Sequence, residues 1–244
     1  MTRLPLVLIA GALLLGGCTT GTPAPAPTPT TSTSSAAPTS STDAATIRAT
    51  GTPLTVGDLT LHYLAGGSDL SPTTDEDGAI TLEPTSDSAL FAAPATTTPE
   101  ALNDGSLLLR DSSGTPVAGI DVDSAQPTVG PDGLITIRAT GPGAIHLTLA
   151  TVAVRSVTWA DIDDEGGRSL AVVPSDWARG GGLAVDALLW AQLIAAEPEA
   201  DSQGMHDQLT CHQIGAPEKD RWNLEPWRPE VGLVETMLAR CNPA

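Results

Sequence analysis

The fold of this chain is decided by residues 134–149, which read LITIRATGPGAIHLTL. Apolar and polar residues alternate on both sides of the Gly-Pro-Gly segment at 141–143. This pattern is typical of half-buried antiparallel strands that are joined by a tight reversal. Similar short segments, rich in β-branched residues, recur from residue 59 to residue 122 between Gly, Asp, Asn and Pro clusters. We therefore predict an all-β, sandwich-like domain over residues 47–155.

The C-terminal part, residues 156–244, has a different composition. It contains all five tryptophans and both of the cysteines that follow residue 18. Its apolar periodicity predicts a strand pair at 156–160 and 169–173, followed by three helices at 183–196, 203–213 and 229–240. We predict a small α+β domain for residues 156–244, distal to the β-rich domain.

Helical spacing also predicts which side chains of the first and last helices face the core. In the first helix one stripe carries Leu183, Ala187, Trp190 and Ile194. In the last helix the corresponding residues are Val234, Met237, Leu238 and Cys241. Because apolar residues three and four positions apart share a helix face, we expect both sets to point inward.

The N-terminus carries the clearest targeting signal. An apolar run follows Arg3 and ends with LGGC at residues 15–18. The run is shorter than the ~20 apolar residues of a membrane-spanning helix and has the length of a signal peptide. The LGGC segment resembles the lipobox of bacterial lipoproteins. This resemblance implies cleavage of the signal peptide, residues 1–17, acylation of Cys18, and anchoring on the outer face of the cell membrane; an ordinary secretory signal is the alternative.

Residues 18–46 predict a spacer between this anchor and the folded part. After Cys18 the segment consists almost entirely of Thr, Pro, Ser and Ala, and Asp43 is its only charged residue. Such a composition buries too little apolar surface to fold, so we predict a disordered linker. The whole chain has 11 basic and 29 acidic residues and a net charge of -18. This charge repels nucleic acid, so we expect the lipid to provide the membrane contact and no nucleic-acid partner.

If Cys18 is acylated, Cys211 and Cys241 remain as a pair in an oxidising compartment. An even number of cysteines there predicts a disulfide, which would clip the last two helices together. A metal site formed with His206 and His212 is the alternative. The adjacency of Cys211 and His212 fits no common zinc spacing, so we predict neither a metal nor a cofactor.

Three motifs in the C-terminal part are long enough to be specific. They read DQLTCH at 207–212, WNLEPWRP at 222–229 and CNP at 241–243. Together they resemble a C-terminal module of secreted and lipid-anchored actinobacterial proteins, a domain of unknown function. The resemblance covers residues 156–243 and implies an extracytoplasmic location. It carries no activity to this chain.

The residues around these motifs allow three interpretations. A small hydrolase or nuclease-like toxin would use a histidine as acid or base, a carboxyl group as its partner and a cation to stabilise an anion. The candidate catalytic residues are His206, Asp207, His212, Lys219 and Glu225. Alternatively, Trp222, Trp227 and Arg228 form an exposed surface that binds a cell-wall glycan or another envelope protein. In the third interpretation the tryptophans only pack the core.

From these observations we predict a lipid-anchored cell-envelope protein that acts by binding. A small hydrolase that uses the segment from His206 to Arg228 is the alternative. The sequence contains no hydrolase or nucleotide-binding fingerprint that would single out a reaction.

Overall fold

The computed structural model describes residues 42–65, 71–84, 86–142, 145–162 and 167–244. The predicted signal peptide, Cys18 and most of the predicted linker lie outside these residues. The first helix, α1 (Ala44–Thr50), begins inside the predicted linker, where the buried Ala44 donates its N–H to Asp132 at 2.8 Å. The folded part therefore starts a few residues earlier than predicted. None of the helices within the described ranges is long and apolar enough to cross a membrane.

Two antiparallel sheets enclose one hydrophobic core. The strands are β1 (Thr52–Val56), β2 (Leu59–Ala65), β3 (Thr73–Thr74), β4 (Ile80–Leu82), β5 (Ser88–Ala92), β6 (Thr98–Ala101), β7 (Leu107–Arg110), β8 (Pro116–Asp123), β9 (Ala125–Val129), β10 (Leu134–Ala139) and β11 (His146–Ala150). The first sheet has the order β1-β2-β5-β10-β9 and the second has the order β3-β4-β11-β8-β7-β6. Both contribute side chains to the same core, which confirms the predicted sandwich-like fold.

The two strands within residues 134–149 bury the faces that were predicted, but they do not pair with each other. Ile135 and Ile137 of β10 and Leu147 and Leu149 of β11 all point into the shared core. However, β10 pairs with β5 and β9, whereas β11 pairs with β4 and β8. The two strands thus lie in opposite sheets and form no hairpin. Alternation determines which face of a strand is buried, and it does not determine the strand's partner.

The C-terminal part combines a third sheet with four α-helices, which confirms the predicted α+β class. Its strands are β12 (Val154–Ile162), β13 (Gly167–Pro174) and β14 (Trp222–Leu224), all antiparallel. The helices are α2 (Asp176–Arg179), α3 (Leu183–Ala196), α4 (Gln203–Gly215) and α5 (Leu233–Leu238). Ser175 and Ser202 cap the N-termini of α2 and α4 with their side chains. The last helix begins later than predicted because Gly232 has a positive φ of 85°, which no helical residue adopts.

The C-terminal part packs directly on the second sheet of the sandwich. The Asp104 carboxylate accepts the N–H of Leu183 at 2.6 Å and so caps α3 from the turn between β6 and β7. Gly119 of β8 lies beneath Trp177, and a Cβ at this glycine would be 2.4 Å from the Trp177 ring. The missing side chain lets Trp177 pack against β8, and residues 41–244 form one compact unit.

The predicted inward stripe of α3 is largely wrong, although its Trp190 packs against the core. The side chains that α3 buries are Ala184, Val185, Leu188, Leu189 and Leu193. Leu183 is exposed, whereas Ala187, Trp190 and Ile194 are only half-buried. Because α3 is apolar on nearly all sides, spacing alone could not distinguish its two apolar stripes. The stripe that contains Leu183 and Trp190 therefore faces open clefts.

The predicted inward face of α5 is largely wrong as well. Val234, Met237 and Leu238 are exposed, and the buried residue of this helix is Thr236. Cys241 is buried as predicted, and it forms a disulfide with Cys211 of α4 across a sequence separation of 30. The disulfide prediction is confirmed. It also excludes the alternative metal site, because neither cysteine retains a thiolate for a metal.

Candidate functional site

A cleft of about 520 Å³ lies between the start of α3, one face of α4 and the start of α5. We call it the α3–α4 cleft. Its charged and polar lining includes Asp104, Asp186, His206, Asp207, Thr210 and Gln213, and its apolar rim consists of Leu183, Ile214 and Leu233. Most of the α4 residues in this set are three or four positions apart, so they form one face of the helix. The cleft therefore brings together side chains from both parts of the chain.

His206 is held by two contacts. Its Nε2 lies 3.1 Å from an oxygen of Asp186, and its ring stacks on Trp190 with centroids 4.5 Å apart. Thr210 donates its hydroxyl to the other Asp186 oxygen at 2.9 Å. The hydrogen bond that His206 makes to the Asp186 carboxylate raises the pKa of His206 and outweighs the opposing effect of partial burial. The pair is thus fixed in position, and its imidazole is more readily protonated than a free histidine.

Sequence reasoning identified His206 and missed its partner. Asp186 lies three residues after Leu183 and four before Trp190, on the α3 stripe that was predicted to be buried. The signal that could have identified Asp186 was the presence of an acidic residue on a stripe of apolar residues. Because that stripe in fact faces open clefts, Asp186 meets His206 from the opposite helix.

Two buried side chains of the cleft leave a polar atom without a partner. Asp207 and Gln213 are only 6% and 5% exposed. Gln203 donates to Asp207 Oδ1 at 2.8 Å, whereas Asp207 Oδ2 has no hydrogen-bond partner in the described part of the chain. The same is true of Gln213 Nε2. Both atoms are themselves inaccessible to solvent, so a ligand in the cleft does not reach them. An unpaired buried polar group costs about 1–3 kcal/mol, and an enclosed water is the usual partner of such a group.

His212 and Lys219 lie in a different place. His212 donates through Nε2 to the carbonyl of Asn223 at 3.0 Å, and burial lowers the pKa of its imidazole. Its side chain lines a cavity of about 310 Å³ beside the disulfide, together with Lys219 and Arg240. The two histidines of α4 therefore do not share a site.

Glu225 fixes the position of the segment that follows β14. Its buried carboxylate forms a close ion pair with Arg228. Its backbone N–H donates to Gln208 at 2.8 Å, and its carbonyl accepts from the same side chain at 3.0 Å. The candidate catalytic residues thus occupy three separate places: the α3–α4 cleft, the cavity beside the disulfide and the Glu225–Arg228 pair.

Trp222 was predicted as a binding residue, and the structure places it in the core. Its side chain is fully buried, and its indole N–H donates to the carbonyl of Ala216 at 3.0 Å. A binding role for Trp222 is therefore wrong, because the ring offers no surface to a ligand.

Trp227 is the exposed member of the pair, with 40% of its surface accessible. The Arg228 guanidinium lies 4.4 Å from the centroid of its ring and covers part of it. The ring also packs on Gly167, where a Cβ would lie 2.0 Å from Trp227 Cδ1. These contacts reduce the ring area that a sugar could stack on. The binding role of Trp227 and Arg228 stays a prediction.

A smaller acidic cavity of about 270 Å³ adjoins the cleft and shares Asp104 and Gly182 with it. Its other acids are Asp121 and Asp123 of β8. Burial, together with the negative charges of Asp123 and Asp104, raises the pKa of Asp121 to about 7. The Trp177 indole opposes this shift, although it forms no hydrogen bond of normal geometry. Near neutral pH Asp121 is therefore divided between its protonated and its charged form.

Replacing Asp121 with Asn should stabilise the protein at high pH only. Because the folded-state pKa lies above the unfolded value of 3.8, the folded state binds more protons between the two values, and stability falls as the pH rises toward 7. The full shift corresponds to about 4 kcal/mol, but Asp121 is only partly buried and solvent screens part of this effect. We therefore expect Asp121→Asn to raise the free energy of unfolding by about 2 kcal/mol at pH 8 and to have little effect at pH 4. Urea unfolding at both pH values measures this.

The matched control is Asp58→Asn, which removes the same charge from an exposed position. It should give no gain in stability of this size at pH 8. A stability gain for Asp121→Asn that is equal at both pH values would show that the charge of Asp121 is not the cause.

Residues 154–244 match the model of a family described as "Protein of unknown function (DUF2599)". Among similar curated proteins is the uncharacterized protein Rv0477 of Mycobacterium tuberculosis, which is 43% identical over 83 residues, covering 31% of this chain and 56% of that protein. The uncharacterized protein Mb0487 of Mycobacterium bovis matches to the same extent. The uncharacterized protein ML2452 of Mycobacterium leprae is 38% identical over 58 residues, covering 22% of this chain and 47% of that protein. No solved structure matches this chain.

The chain spans about half the length of the curated relatives that it matches. Within the cleft, Asp186, His206 and Asp207 fall inside the family match, whereas Asp104 lies outside it. From residue 154 onward, the chain thus matches a domain of unknown function, and part of the chain is similar to uncharacterized mycobacterial proteins.

Proposed function

We propose that this protein is a lipid-anchored cell-envelope protein whose folded part binds a ligand in the α3–α4 cleft. One observation carries the binding site: the cleft joins the polar face of α4, with the His206–Asp186 pair, to an apolar rim where Leu183 and Ile214 are exposed. Apolar side chains beside a few polar groups that are fixed in position are typical of ligand pockets. A ligand that combines an apolar part with polar groups would contact both parts of this lining.

The contacts of His206 favour binding over catalysis. Thr210 donates its hydroxyl to Asp186 rather than to His206, so among the described residues of the cleft no hydroxyl is placed as a nucleophile that a base activates. The raised pKa of His206 also makes the imidazole less available as a base near neutral pH. The His206–Asp186 pair still supports a second candidate, a small hydrolase in which the protonated His206 acts as the acid.

The anchor is supported by the LGGC segment that ends at Cys18, and a triacylated cysteine would hold the protein on the membrane durably. The predicted spacer would then separate the cleft from the bilayer. Mass spectrometry of the mature protein should find acyl chains on Cys18, and a free amino terminus with an unmodified thiol would refute the anchor.

Narrowing the cleft should remove binding without unfolding the protein. Leu183→Trp adds bulk at the rim, where the native side chain is already 48% exposed. We expect the full-length chain to be retained on purified cell wall that has been freed of membrane lipid, where the acyl chains of Cys18 have nothing to insert into, and Leu183→Trp to lose this retention at least about tenfold. Leu238→Trp is the control, because Leu238 is 73% exposed on α5 and does not line the cleft. Equal retention of the two variants would contradict a binding site in the cleft.

A further inference from the structure

We infer that the cavity beside the disulfide binds a phosphate group, which the side chains of Lys219 and Arg240 contact. This cavity of about 310 Å³ lies at the ends of α4 and α5, and none of the described residues lines both it and the α3–α4 cleft. The inference therefore adds a second site and does not rest on the proposed function.

The lining of this cavity differs in charge from the rest of the chain. Lys219 and Arg240 are both cationic, and no aspartate or glutamate lines the cavity within the described part of the chain. The whole chain, in contrast, has 11 basic and 29 acidic residues. Glu218 and Asp220 flank Lys219 in sequence and lie outside the lining. Because salt at physiological strength screens exposed charges beyond about 8 Å, an anion in the cavity interacts mainly with the two cations.

The two cations also lack acidic partners. Other basic side chains of the protein are paired with acids, as Arg110 is with Glu100 and Arg168 is with Glu199. In the ranges that the structure describes, the side chains of Lys219 and Arg240 form neither an ion pair nor a hydrogen bond. Their donors are therefore available to an anion that enters the cavity.

The turn that carries Lys219 is held in place by Arg179. The guanidinium of Arg179 donates to the carbonyls of Pro217 and Lys219 at 2.7 and 2.6 Å, and to the carbonyl of Asp220 at 3.2 Å. The backbone beneath the Lys219 side chain is thus fixed before a ligand arrives. Such order reduces the entropy that binding costs.

The backbone that carries Arg240 is fixed as well. Arg240 has a φ of 55°, an uncommon conformation for a residue other than glycine, and precedes the disulfide-bonded Cys241. The N–H of Cys241 donates to Thr236 at 2.9 Å, and the Asn242 side chain donates to the carbonyl of Arg240 at 3.0 Å. Both cations therefore project from rigid turns at one cavity.

A structural role for the cations is the alternative, because basic side chains stabilise the C-terminal end of a helix. The last carbonyls of α4, however, already have partners. The carbonyl of His212 accepts the N–H of Ala216 at 2.8 Å, and the carbonyl of Ala216 accepts the indole N–H of Trp222 at 3.0 Å. Lys219 is thus not needed to satisfy these groups.

The number of cations favours phosphate over carboxylate. A phosphate monoester carries a charge of about -1.5 to -2 at neutral pH and three acceptor oxygens. Lysine and arginine offer only donors, and together they balance this charge. A carboxylate carries a single charge and would leave one cation unbalanced.

Glycerol 3-phosphate serves as the probe, and glycerate, a carboxylate of similar size, is the matched ligand control. Calorimetric titration of the full-length chain at pH 8 ensures that the phosphate is fully charged, because its second pKa is about 6. We expect glycerol 3-phosphate to bind at least about tenfold more tightly than glycerate.

Three substitutions of exposed residues test the location of the site. Lys219→Gln and Arg240→Gln each remove one charge from the cavity and should weaken binding of the phosphate at least about tenfold. Arg221→Gln removes the same charge from an exposed position outside the cavity and should leave binding unchanged. Glycerol 3-phosphate should also raise the melting temperature of the wild type and of Arg221→Gln more than that of the two cavity variants.

A comparison of two ligands with the same phosphate group identifies its source. Dihexanoyl phosphatidic acid is glycerol 3-phosphate with two short acyl chains. If the phosphate belongs to a lipid headgroup, this lipid should bind at least about tenfold more tightly than glycerol 3-phosphate, because its chains would contact Met237, which is 40% exposed at the cavity. Equal binding of the two would assign the site to a soluble phosphate.

Three results would overturn the inference. They are the absence of glycerol 3-phosphate binding by the wild type, equally tight binding of glycerate, and equal losses in Arg221→Gln and Lys219→Gln. The last result would show that the phosphate responds only to the net charge of the segment. None of the three alters the expectation for Leu183→Trp, which concerns the α3–α4 cleft.

Discussion

Replacing Trp222 with Ala should lower the free energy of unfolding by about 3–5 kcal/mol, the range found when large aromatic side chains are removed from protein cores. The ring is fully buried in β14 and belongs to the same core as Leu170, Val172 and Leu224. The substitution leaves a cavity, and it also leaves the carbonyl of Ala216 without the indole donor. Chemical denaturation followed by circular dichroism measures the change.

Trp227→Ala is the comparison variant, because it removes a tryptophan that is partly exposed and not one that is buried in the core. Trp227 contacts Gly167 and Arg228 but remains partly accessible, so we expect a loss of about 1 kcal/mol. If Trp222→Ala were as mild as Trp227→Ala, then Trp222 would not contribute to the core as the structure indicates.

Replacing both Cys211 and Cys241 with Ala should lower the free energy of unfolding by about 3–4 kcal/mol. The disulfide closes a loop with a sequence separation of 30, and the chain-entropy model assigns a loop of this length a stabilisation of this size. The bond also holds Arg240 and Cys241, two consecutive non-glycine residues with positive φ values of 55° and 68°. This conformation is unfavourable for such residues and persists where the surrounding contacts impose it.

Reduction provides the control for the disulfide. A reducing agent should destabilise the wild type by the same amount and have no effect on the double variant. Equal melting temperatures for the oxidised wild type and the double variant would show that packing, and not the disulfide, holds the C-terminus.

The features that depend on local pattern were predictable from the sequence. Alternation in 134–149 identified the buried faces of β10 and β11, and the even cysteine count identified the disulfide. The assignment of β10 and β11 to opposite sheets was not predictable, since it is decided by contacts with strands far away in sequence. The exposed stripe of α3 was missed for a related reason. An almost uniformly apolar helix does not indicate which side its neighbours will cover.

The candidate site was predictable only in part. His206 and Asp207 were identified because they lie near a specific motif, and both line the cleft. Asp186 and Asp104 come from segments 20 and 102 positions away from His206, as their residue numbers show, so only the tertiary fold brings them there. Glu225 and Arg228 are close to the motif in sequence and pair with each other instead. Proximity in sequence was therefore a poor guide to proximity in the cleft.

The cap that Asp104 provides for α3 limits where the protein can be divided into fragments. The carboxylate and the helix it caps are separated by 79 residues, and they belong to different sides of the family boundary at residue 154. A truncation that keeps only the C-terminal domain would expose the first N–H groups of α3 and remove one wall of the cleft. If the C-terminal domain were fused to an unrelated protein, that protein would have to supply another acidic turn to cap α3. The smallest fragment that keeps the whole α3–α4 cleft is thus larger than the segment that matches the family model.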